Sequence, residues 1–439
     1  MQRHRHRKCF VTALLIIYAV LSPVRNALGT PDVLPSDGTY TLAQLVEWAL
    51  RHSELAASHR ARAEERRHAA DQARTWPNPA VDVSGGRRRT GESSGPLYEL
   101  GLSQPLPLFG KEGLRGEILQ LDSETWRVRQ TAAKTGVALE VIRLGYEVAF
   151  QGRKAKLFEA RQQRFELMRA YMAGREEFVA PQQKAESRLV EQRLRRLVSE
   201  GLQAQAALRA SFEQLKIYVV FAPGHYPMIE VPWLAGTKSL DGKEWADRVT
   251  GNNPALAMQD LSVKSAGLEK TLAGREALPD LSLRAFYDEA TAGETERNAG
   301  MGLSVGLPFW NRNQAGVKSA DQRVIAEESL LGFQRRQVQS DLARVLTEYD
   351  SARRVVAEYP RLLLSELEAQ LKETEEEFRK GRVDLLTFLE FENEVAETSQ
   401  KVLDAQFVLV SKLLELLALS GERDPISQLA SFEERGPAQ

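Results

Sequence analysis

Histidine and cysteine side chains, which could bind a metal ion or act in catalysis, are scarce in this chain. His52, His59 and His68 fall on one predicted helix, and His225 falls in a connector. His52 and His59 are seven residues apart, so they could share a helix face and touch a metal ion. No cysteine and no pattern of Asp or Glu completes a tight site beside them, so we favour a solvated helix surface over a weak metal contact. No spacing of nucleophile and base is present either, so the chain is not predicted to be an enzyme, and no catalytic residue or cofactor is expected.

The composition is typical of long helices. The chain has 439 residues, a formal net charge of −1 and only 7% aromatic residues, and Ala, Leu, Glu, Gln and Arg dominate. A near-zero charge gives no reason to expect nucleic acid as a partner. The negative mean hydropathy argues against a polytopic helical membrane protein. It leaves a β-barrel open, because barrel strands alternate and score weakly.

The N-terminus predicts a secretory signal peptide over residues 1–29. Residues 3–8 are basic, residues 10–21 form a short apolar run, and residues 27–29 offer small side chains for cleavage. The single cysteine, Cys9, would be removed with this leader. The exported chain would then hold no thiol and no disulfide, so its stability must come from packing.

A strand-to-helix junction occurs twice. GLSQPLPLFGK begins at Gly101, and GLSVGLPFWNR begins at Gly302, an offset of 201 residues. A helical pattern is also repeated, at an offset of 203: Leu139, Ile142 and Tyr146 correspond to Leu342, Val345 and Tyr349. Offsets that drift so little over so long a span indicate duplication of one structural unit.

Periodicity and turn residues assign elements to each half. In the first structural repeat (30–220) we predict a helix over Thr41–Arg74, strands at about 80–88 and 97–106, a helix from Leu108 to about Met172, and a return helix over 182–215. A connector (221–242) follows. The second repeat (243–421) has a helix over Trp245–Glu276, strands at about 281–288 and 300–307, and helices over 308–359 and 362–419. Residues 422–439 form a polar tail.

The predicted strands have one aliphatic face and one small or polar face. Four strands leave two open edges, whereas three copies would supply twelve strands, which can close a barrel. Ten tilted residues cross a hydrocarbon layer of about 25 Å. A helix from Leu108 to Met172 would extend about 90 Å, and Val395, Val402 and Leu409 show a coiled-coil seam. The fold class predicted is an α+β membrane protein, a trimeric twelve-stranded β-barrel continued by a long α-helical coiled-coil tunnel.

The two junctions, Gln104–Lys111 and Leu307–Gln314, and the duplicated layout over Thr41–Gly421 carry a family resemblance. The sequence resembles the TolC-like outer-membrane factor family, and more narrowly its cation-efflux (CzcC-like) branch. The resemblance implies a homotrimer with its barrel in the outer membrane, in contact with lipid, and its helices in the periplasm. It also implies a passive exit duct for heavy-metal cations, which works with a periplasmic membrane-fusion adaptor and an inner-membrane, proton-driven RND-type transporter.

The resemblance also implies functional positions. Gly174, Arg175, Gly381 and Arg382, with Leu385, would lie at the periplasmic aperture and contact the adaptor. A purely structural interpretation stays open, in which the glycines are helix C-caps and the arginines are capping charges. The barrel–tunnel junction would contain Pro105, Pro107, Phe109, Pro308 and Trp310.

Two further interpretations concern charged residues of the strand region. Residues 87–89, three consecutive arginines, are expected in a loop that either meets anionic lipopolysaccharide or is simply solvated. Arg284 and Asp288 oppose the aliphatic face of their strand, so they would line a barrel lumen.

Other functions fit parts of the pattern. A multidrug or type I protein-secretion outer-membrane channel would share the fold. A periplasmic coiled-coil adaptor or structural protein would be a different class. Adaptors have a single helical hairpin flanked by β-domains, whereas this chain has two halves that each begin with a helix before the strand pair.

Overall fold

The computed structural model describes residues 33–173, 181–224, 226–236, 238–292, 294–359 and 361–433. The first half contains β1 (Thr39–Thr41), α1 (Leu42–Arg51), α2 (Glu54–Arg74), β2 (Ala80–Thr90), β3 (Ser93–Leu106), α3 (Lys111–Ala173) and α4 (Pro181–Leu215). The remainder contains β4 (Met228–Glu230), α5 (Gly242–Asn252), α6 (Pro254–Glu276), β5 (Leu281–Ala292), β6 (Glu294–Val305), α7 (Gln314–Ala357), α8 (Arg361–Arg379), α9 (Leu385–Leu419) and α10 (Pro425–Ala430). The predicted leader lies outside the described residues.

The helix that precedes each strand pair is divided in two. Continuous helices over Thr41–Arg74 and Trp245–Glu276 were wrong predictions, because Ser53 and Asn253 interrupt them. The side-chain oxygens of Ser53 and Asn253 accept hydrogen bonds from backbone amides at the start of α2 and α6, at 3.0 to 3.2 Å. Each is an N-cap that starts a new helix. The apolar period continues across both caps, so periodicity alone does not reveal the breaks.

Four strands form one antiparallel sheet in the order β2-β3-β5-β6. The central pair joins the two halves, since β3 belongs to the first and β5 to the second. The outer strands β2 and β6 have no further partner among the described residues. The sheet therefore has two open edges.

The helix α3 is the longest element of the described chain. Its 63 residues extend about 94 Å at 1.5 Å per residue, and it contacts α1, α2, α4, α6 and α9. No helix among the described residues is both long and apolar enough to cross a membrane.

Two buried cores stabilise the helices. The central core contains equivalent residues of both halves: Leu139, Ile142, Tyr146, Leu342, Val345 and Tyr349. The connector packs on it, and the Gln406 side chain pairs with both the N–H (3.2 Å) and the C=O (3.0 Å) of Leu234. The second cluster, called here the lower core, includes Phe158, Phe165, Leu194, Phe388 and Leu389. The repeated positions in the sequence therefore share one hydrophobic core.

Candidate functional site

One face of the sheet is apolar and exposed. In an antiparallel sheet directly opposed residues share a face, and the register places Val81 opposite Leu102, Leu102 opposite Ala285, and Ala285 opposite Met301. The exposed large side chains of this face are Val81, Val83, Tyr98, Leu100, Leu102, Leu283, Tyr287, Met301, Leu303 and Val305. A continuous apolar surface of this extent indicates contact with an apolar partner.

The opposite face is polar. Glu99 accepts a hydrogen bond from Ser84 Oγ at 2.7 Å, and Asp288 accepts one from Asn298 Nδ2 at 2.8 Å. Glu99 and Asp288 are directly paired, and Asp82 lies one pair away, opposite Gly101. Arg284 also belongs to this face, opposite Ser103. The sheet thus separates an apolar side from a side on which carboxylates predominate.

The arginines of residues 87–89 lie within a strand. The loop prediction for them was wrong, because β2 continues to Thr90 and pairs with β3 as far as Ser93. The turn is tight, and Gly91 supplies the positive φ (59°) that it requires. Arg88 forms an ion pair with Glu296 of β6. These charges therefore lie at the end of the sheet that is distant from the helices.

The first junction, after β3, is tied to the end of α6. Pro105 is the last residue but one of β3, beyond the point where pairing with β2 stops, so its missing N–H costs no bond on that side. Pro107 precedes a short 3₁₀ turn, in which Phe109 has a positive φ of 65°. Arg275 donates to the Phe109 carbonyl at 2.9 Å. The buried Lys111 ammonium donates to Asp280 Oδ1 at 2.7 Å.

The second junction differs from the first. The helix predicted to begin at Pro308 begins at Gln314 instead, because Asn313 adopts a left-handed conformation (φ 52°) immediately before it. The Asn313 side chain donates to the Ala273 carbonyl at 2.9 Å and so fixes the turn against α6. Pro308 is therefore part of an irregular segment, in which Trp310 is 96% exposed.

The turn between α8 and α9 is the described part of the predicted aperture, whereas Gly174 and Arg175 lie outside the described residues. Gly381 has a φ of 74°, and the N–H groups of Gly381 and Arg382 close the helix end onto the Phe378 and Glu377 carbonyls, both at 2.9 Å. This is the C-cap geometry that glycine favours. Leu385, in contrast, is 7% exposed and belongs to the lower core, so it packs inside the chain.

Charged side chains reinforce this turn. Lys380 and Arg382 both donate to Glu377, at 2.9 Å each, and these bonds hold the pKa of the Glu377 carboxyl below its ordinary value. Asp384 caps α9 by accepting from the Thr387 N–H at 2.7 Å, which lowers the pKa of Asp384. The turn is thus a well-defined structure with exposed charged groups.

The histidines are dispersed among other contacts. His52 stacks on Trp48 at 4.2 Å between ring centroids, His59 lies 5.5 Å from the Trp126 ring, and His68 contacts Arg67. His225 lies outside the described residues. Within the described chain no group of three or more His, Cys, Asp or Glu side chains is arranged to hold a metal ion.

A buried ion pair in the lower core was not predicted. Arg161 of α3 donates to both carboxylate oxygens of Glu392 of α9, at 2.8 and 2.9 Å, and the two side chains are 6% and 0% exposed. Arg164 extends the network to Glu375 at 3.3 Å. The sequence signal was an arginine and a glutamate within otherwise apolar helix faces, but their partnership depends on tertiary packing.

The chain is similar to known proteins in sequence over its second half and in fold over most of its length. Residues 245–422 match the model of the outer membrane efflux protein family. No curated protein matches the chain significantly.

Three solved structures illustrate the similarity in fold. VceC from Vibrio cholerae, an outer membrane protein, is 16% identical with a TM-score of 0.67, over 87% of this chain and 96% of that one. The MtrE outer membrane channel of Neisseria gonorrhoeae, in its open state, is 16% identical with a TM-score of 0.67, over 87% and 88%. CusC, whose structures concern folding and transmembrane channel formation, is 16% identical with a TM-score of 0.66, over 90% and 95%. The helix-rich α+β fold of this chain is the fold of these proteins.

Proposed function

Because residues 245–422 match the outer membrane efflux protein family, we propose that the chain is a member of this family and the outer-membrane exit duct of a tripartite efflux pump. The duct is a passive channel, not an enzyme. The observation that carries the proposal is the four-stranded sheet, with one apolar face, one polar face and two open edges, joined directly to helices as long as about 94 Å.

The sheet favours a closed homotrimer. Exposed strand edges are a liability that barrel closure removes. Pairing β6 of one copy with β2 of the next joins three sheets into a twelve-stranded barrel. The apolar face then contacts lipid, and the polar face lines the lumen. In this arrangement the strands lie in the outer membrane, and the leader (1–29) directs export of the chain.

The helices form the periplasmic part of the duct in this proposal. They pass from the barrel as a coiled-coil tunnel and end at the α8–α9 turn. A membrane-fusion adaptor contacts this end, and an inner-membrane RND-type transporter supplies the cargo. Gly381 shapes the turn, and the exposed Arg382 side chain is available to the adaptor. Leu385 supports the turn from within the lower core. Because the two halves are duplicated, we assign to Gly174 and Arg175 the roles that Gly381 and Arg382 have in the second half.

The charge of the polar face favours cationic cargo. In its central rows the acidic side chains are Asp82, Glu99 and Asp288, and the basic side chain is Arg284. Acidic rings in a pore attract cations and repel anions. We therefore place heavy-metal cations ahead of drugs or secreted proteins as the cargo.

Two experiments test this proposal. The purified protein in detergent should image as an elongated three-fold particle about 130 Å long, from about 90 Å of helix plus a barrel and its loops. A compact monomer, as expected for a periplasmic adaptor, would overturn the proposed duct.

In planar bilayers under a salt gradient, the channel should be cation-selective, and the variant Asp82→Asn/Glu99→Gln/Asp288→Asn should lose that selectivity. Glu191→Gln, which changes an exposed carboxylate of α4, is the matched control. Equal selectivity in the unmodified protein, the triple variant and the control would refute cationic cargo but would leave the proposed duct intact.

The cargo and the adaptor contact can be tested in cells. A deletion strain should lose resistance to metal cations, and loss of drug resistance or of protein secretion alone would favour the alternatives. A photo-crosslinking residue at position 382 should capture the membrane-fusion adaptor, whereas one at Arg195, exposed on α4, should not.

A further inference from the structure

The three consecutive arginines of β2 divide between the two faces of the sheet. Arg88 lies on the polar face, where it forms an ion pair with Glu296. Arg87 and Arg89 lie on the apolar face in line with Val83, because alternate side chains of a strand point to the same side. Both are exposed, and neither forms an ion pair with any residue that the structure describes. Their charges are therefore not neutralised within the single chain.

The neighbouring charges at this end of the sheet are already engaged or point elsewhere. Glu289 is the carboxylate that the described strands place on the apolar side at the same end. It accepts a hydrogen bond from the Tyr287 hydroxyl at 2.9 Å and pairs with Arg297 at 3.2 Å. The other carboxylates of this end belong to the polar face or to the turn: Glu92, Glu294 and Glu296. The apolar face therefore ends in a net positive charge.

Closure of the proposed barrel would add a third arginine. The two hairpins correspond at offsets of 202 residues for β2 and β5 and 201 residues for β3 and β6. The β3–β5 register, continued by one pair beyond Leu97 and Ala290, then has its counterpart between copies in Arg297 of β6 opposite Arg89 of β2. Like charges that are directly opposed across a strand pair repel each other. An anion between these arginines would therefore stabilise the closed barrel.

Phosphate is the anionic group that fits these side chains. A guanidinium is planar, and its N–H groups form paired hydrogen bonds with phosphate oxygens. Arg87 and Arg89 are two residues apart along the strand, so their Cα atoms are separated by about 7 Å. The long side chains can extend from the apolar face towards the headgroups of the surrounding lipid. In the proposed orientation this end of the sheet, distant from the helices, lies at the outer leaflet.

We propose that Arg87 and Arg89, together with Arg297 of the neighbouring copy, bind the phosphate groups of a lipopolysaccharide molecule. This inference rests on the proposed membrane location and trimer, and it assigns a ligand to the outside of the barrel. A phosphorylated glycolipid fits because its acyl chains can cover the apolar face while its phosphates meet the guanidinium groups beyond that face. Arg88 does not belong to the site, since it lies on the polar face and already has a carboxylate partner.

Native mass spectrometry of the full chain in detergent can measure the binding of purified lipid A, the phosphorylated and acylated part of lipopolysaccharide. The unmodified trimer should bind diphosphoryl lipid A about tenfold more tightly than lipid A from which both phosphates have been removed. Arg87→Gln/Arg89→Gln should weaken the binding of diphosphoryl lipid A by about tenfold. Arg88→Gln is the matched control at the same level of the strand, and it should change the affinity by less than about twofold.

Two further variants test the details of the site. Arg297→Gln should weaken the binding of diphosphoryl lipid A by about threefold, a smaller factor because Glu289 already engages this guanidinium. Arg284→Gln, on the polar face, is its control and should leave the affinity unchanged. Arg87→Lys/Arg89→Lys should retain part of the affinity, since the charges stay but the paired hydrogen bonds are lost.

The outcomes separate this inference from the proposed function. A trimeric protein that binds diphosphoryl lipid A equally well with and without Arg87 and Arg89 overturns the phosphate site and leaves the duct intact. Binding of phosphatidylglycerol as tightly as diphosphoryl lipid A would show a general attraction to anionic lipid and would overturn the glycolipid ligand. An unchanged affinity in Arg297→Gln would contradict the contribution of the neighbouring copy. A protein that remains monomeric contradicts the proposed trimer itself. The comparison of the two lipid A forms uses the unmodified protein, so it does not depend on the variants folding.

Discussion

Tyr146 and Tyr349 occupy equivalent positions in the two halves and make the same contact. Tyr146 donates its hydroxyl to the Pro232 carbonyl at 2.7 Å, and Tyr349 donates to the Lys238 carbonyl at 3.0 Å. Both rings are fully buried in the central core, and both carbonyls belong to the connector. The duplicated tyrosines therefore fix the inter-repeat connector to the helices of both halves.

Removal of either hydroxyl should destabilise the protein. Tyr146→Phe and Tyr349→Phe should each cost about 1 to 2 kcal/mol, because each change removes the hydrogen bond that joins a buried tyrosine to the connector. Thermal or urea unfolding of the purified protein measures the change. Tyr98→Phe, on the exposed sheet face, is the control and should stay within about 0.5 kcal/mol of the unmodified protein. Equal effects at all three positions would contradict the assigned role.

The same tyrosines should make stability fall at alkaline pH. Burial raises the pKa of Tyr349 to about 12, and burial also raises the pKa of Tyr146, above the ordinary value of 10.0. A raised folded-state pKa gives a contribution that is complete below pH 10.0 and is lost as the pH rises through the folded-state value. Circular dichroism between about pH 8 and about pH 12 should therefore show that Tyr349→Phe weakens this alkaline loss. An unchanged alkaline profile would refute the assignment.

The buried pair in the lower core predicts an asymmetric response to mutation. Glu392→Ala leaves the Arg161 guanidinium buried without its bidentate partner, so it should cost about 3 to 5 kcal/mol. Replacing both residues with methionine should recover most of that loss, since no charge then remains buried. Glu191→Ala removes an exposed pair with Arg195 and should cost less than about 1 kcal/mol. Similar losses for Glu392→Ala and Glu191→Ala in urea unfolding would contradict this prediction.

The α8–α9 turn should depend on a glycine for backbone reasons alone. An added Cβ at Gly381 would meet no atom within 4 Å, but φ is +74°. Gly381→Ala should therefore cost about 1 to 2 kcal/mol of left-handed strain. Gly267→Ala, within α6 and also in open space, should instead stabilise by about 0.5 to 1 kcal/mol. If the melting temperatures of Gly381→Ala and Gly267→Ala shift in the same direction, the left-handed backbone at Gly381 is not the cause of the effect.

Alternation and periodicity predicted where the strands and long helices lie, but not their ends. The predicted strands at 80–88 and 281–288 continue to Thr90 and Ala292. These extensions are charged or small, so they carry no apolar alternation. The start of α7 at Gln314 depends on the backbone of Asn313, and a left-handed asparagine leaves no reliable trace in sequence.

The candidate site residues likewise include features that depend on tertiary packing and could not be predicted from the sequence. The exposure of Trp310 and the positive φ of Phe109 follow from how each junction packs on α6, which periodicity does not report. Arg161 and Glu392 are 231 residues apart, and only the fold brings them together.

Pseudo-symmetry predicts how neighbouring copies would pair. Within each hairpin the structure places Val81 opposite Leu102 and Leu283 opposite Leu303, so β2 maps to β5 at an offset of 202 and β3 maps to β6 at 201. Leu102 of β3 also pairs with Ala285 of β5. The equivalent contact between copies places Leu303 of β6 opposite Val83 of β2 in the next copy, with both side chains on the apolar face.

Disulfide trapping of this contact tests the closed trimer most directly. The sequence after Cys9 contains no cysteine, so introduced thiols would have no competitor once the leader is removed. Opposed residues of adjacent strands have Cβ atoms about 4.5 to 5.5 Å apart, close to disulfide range. Oxidised Val83→Cys/Leu303→Cys protein in membranes should give covalent dimers and trimers on a non-reducing gel. Val83→Cys/Ser304→Cys, with its second thiol on the opposite face, should remain monomeric. Monomers alone from the first variant, with both thiols still reactive toward maleimide, would contradict the trimeric barrel.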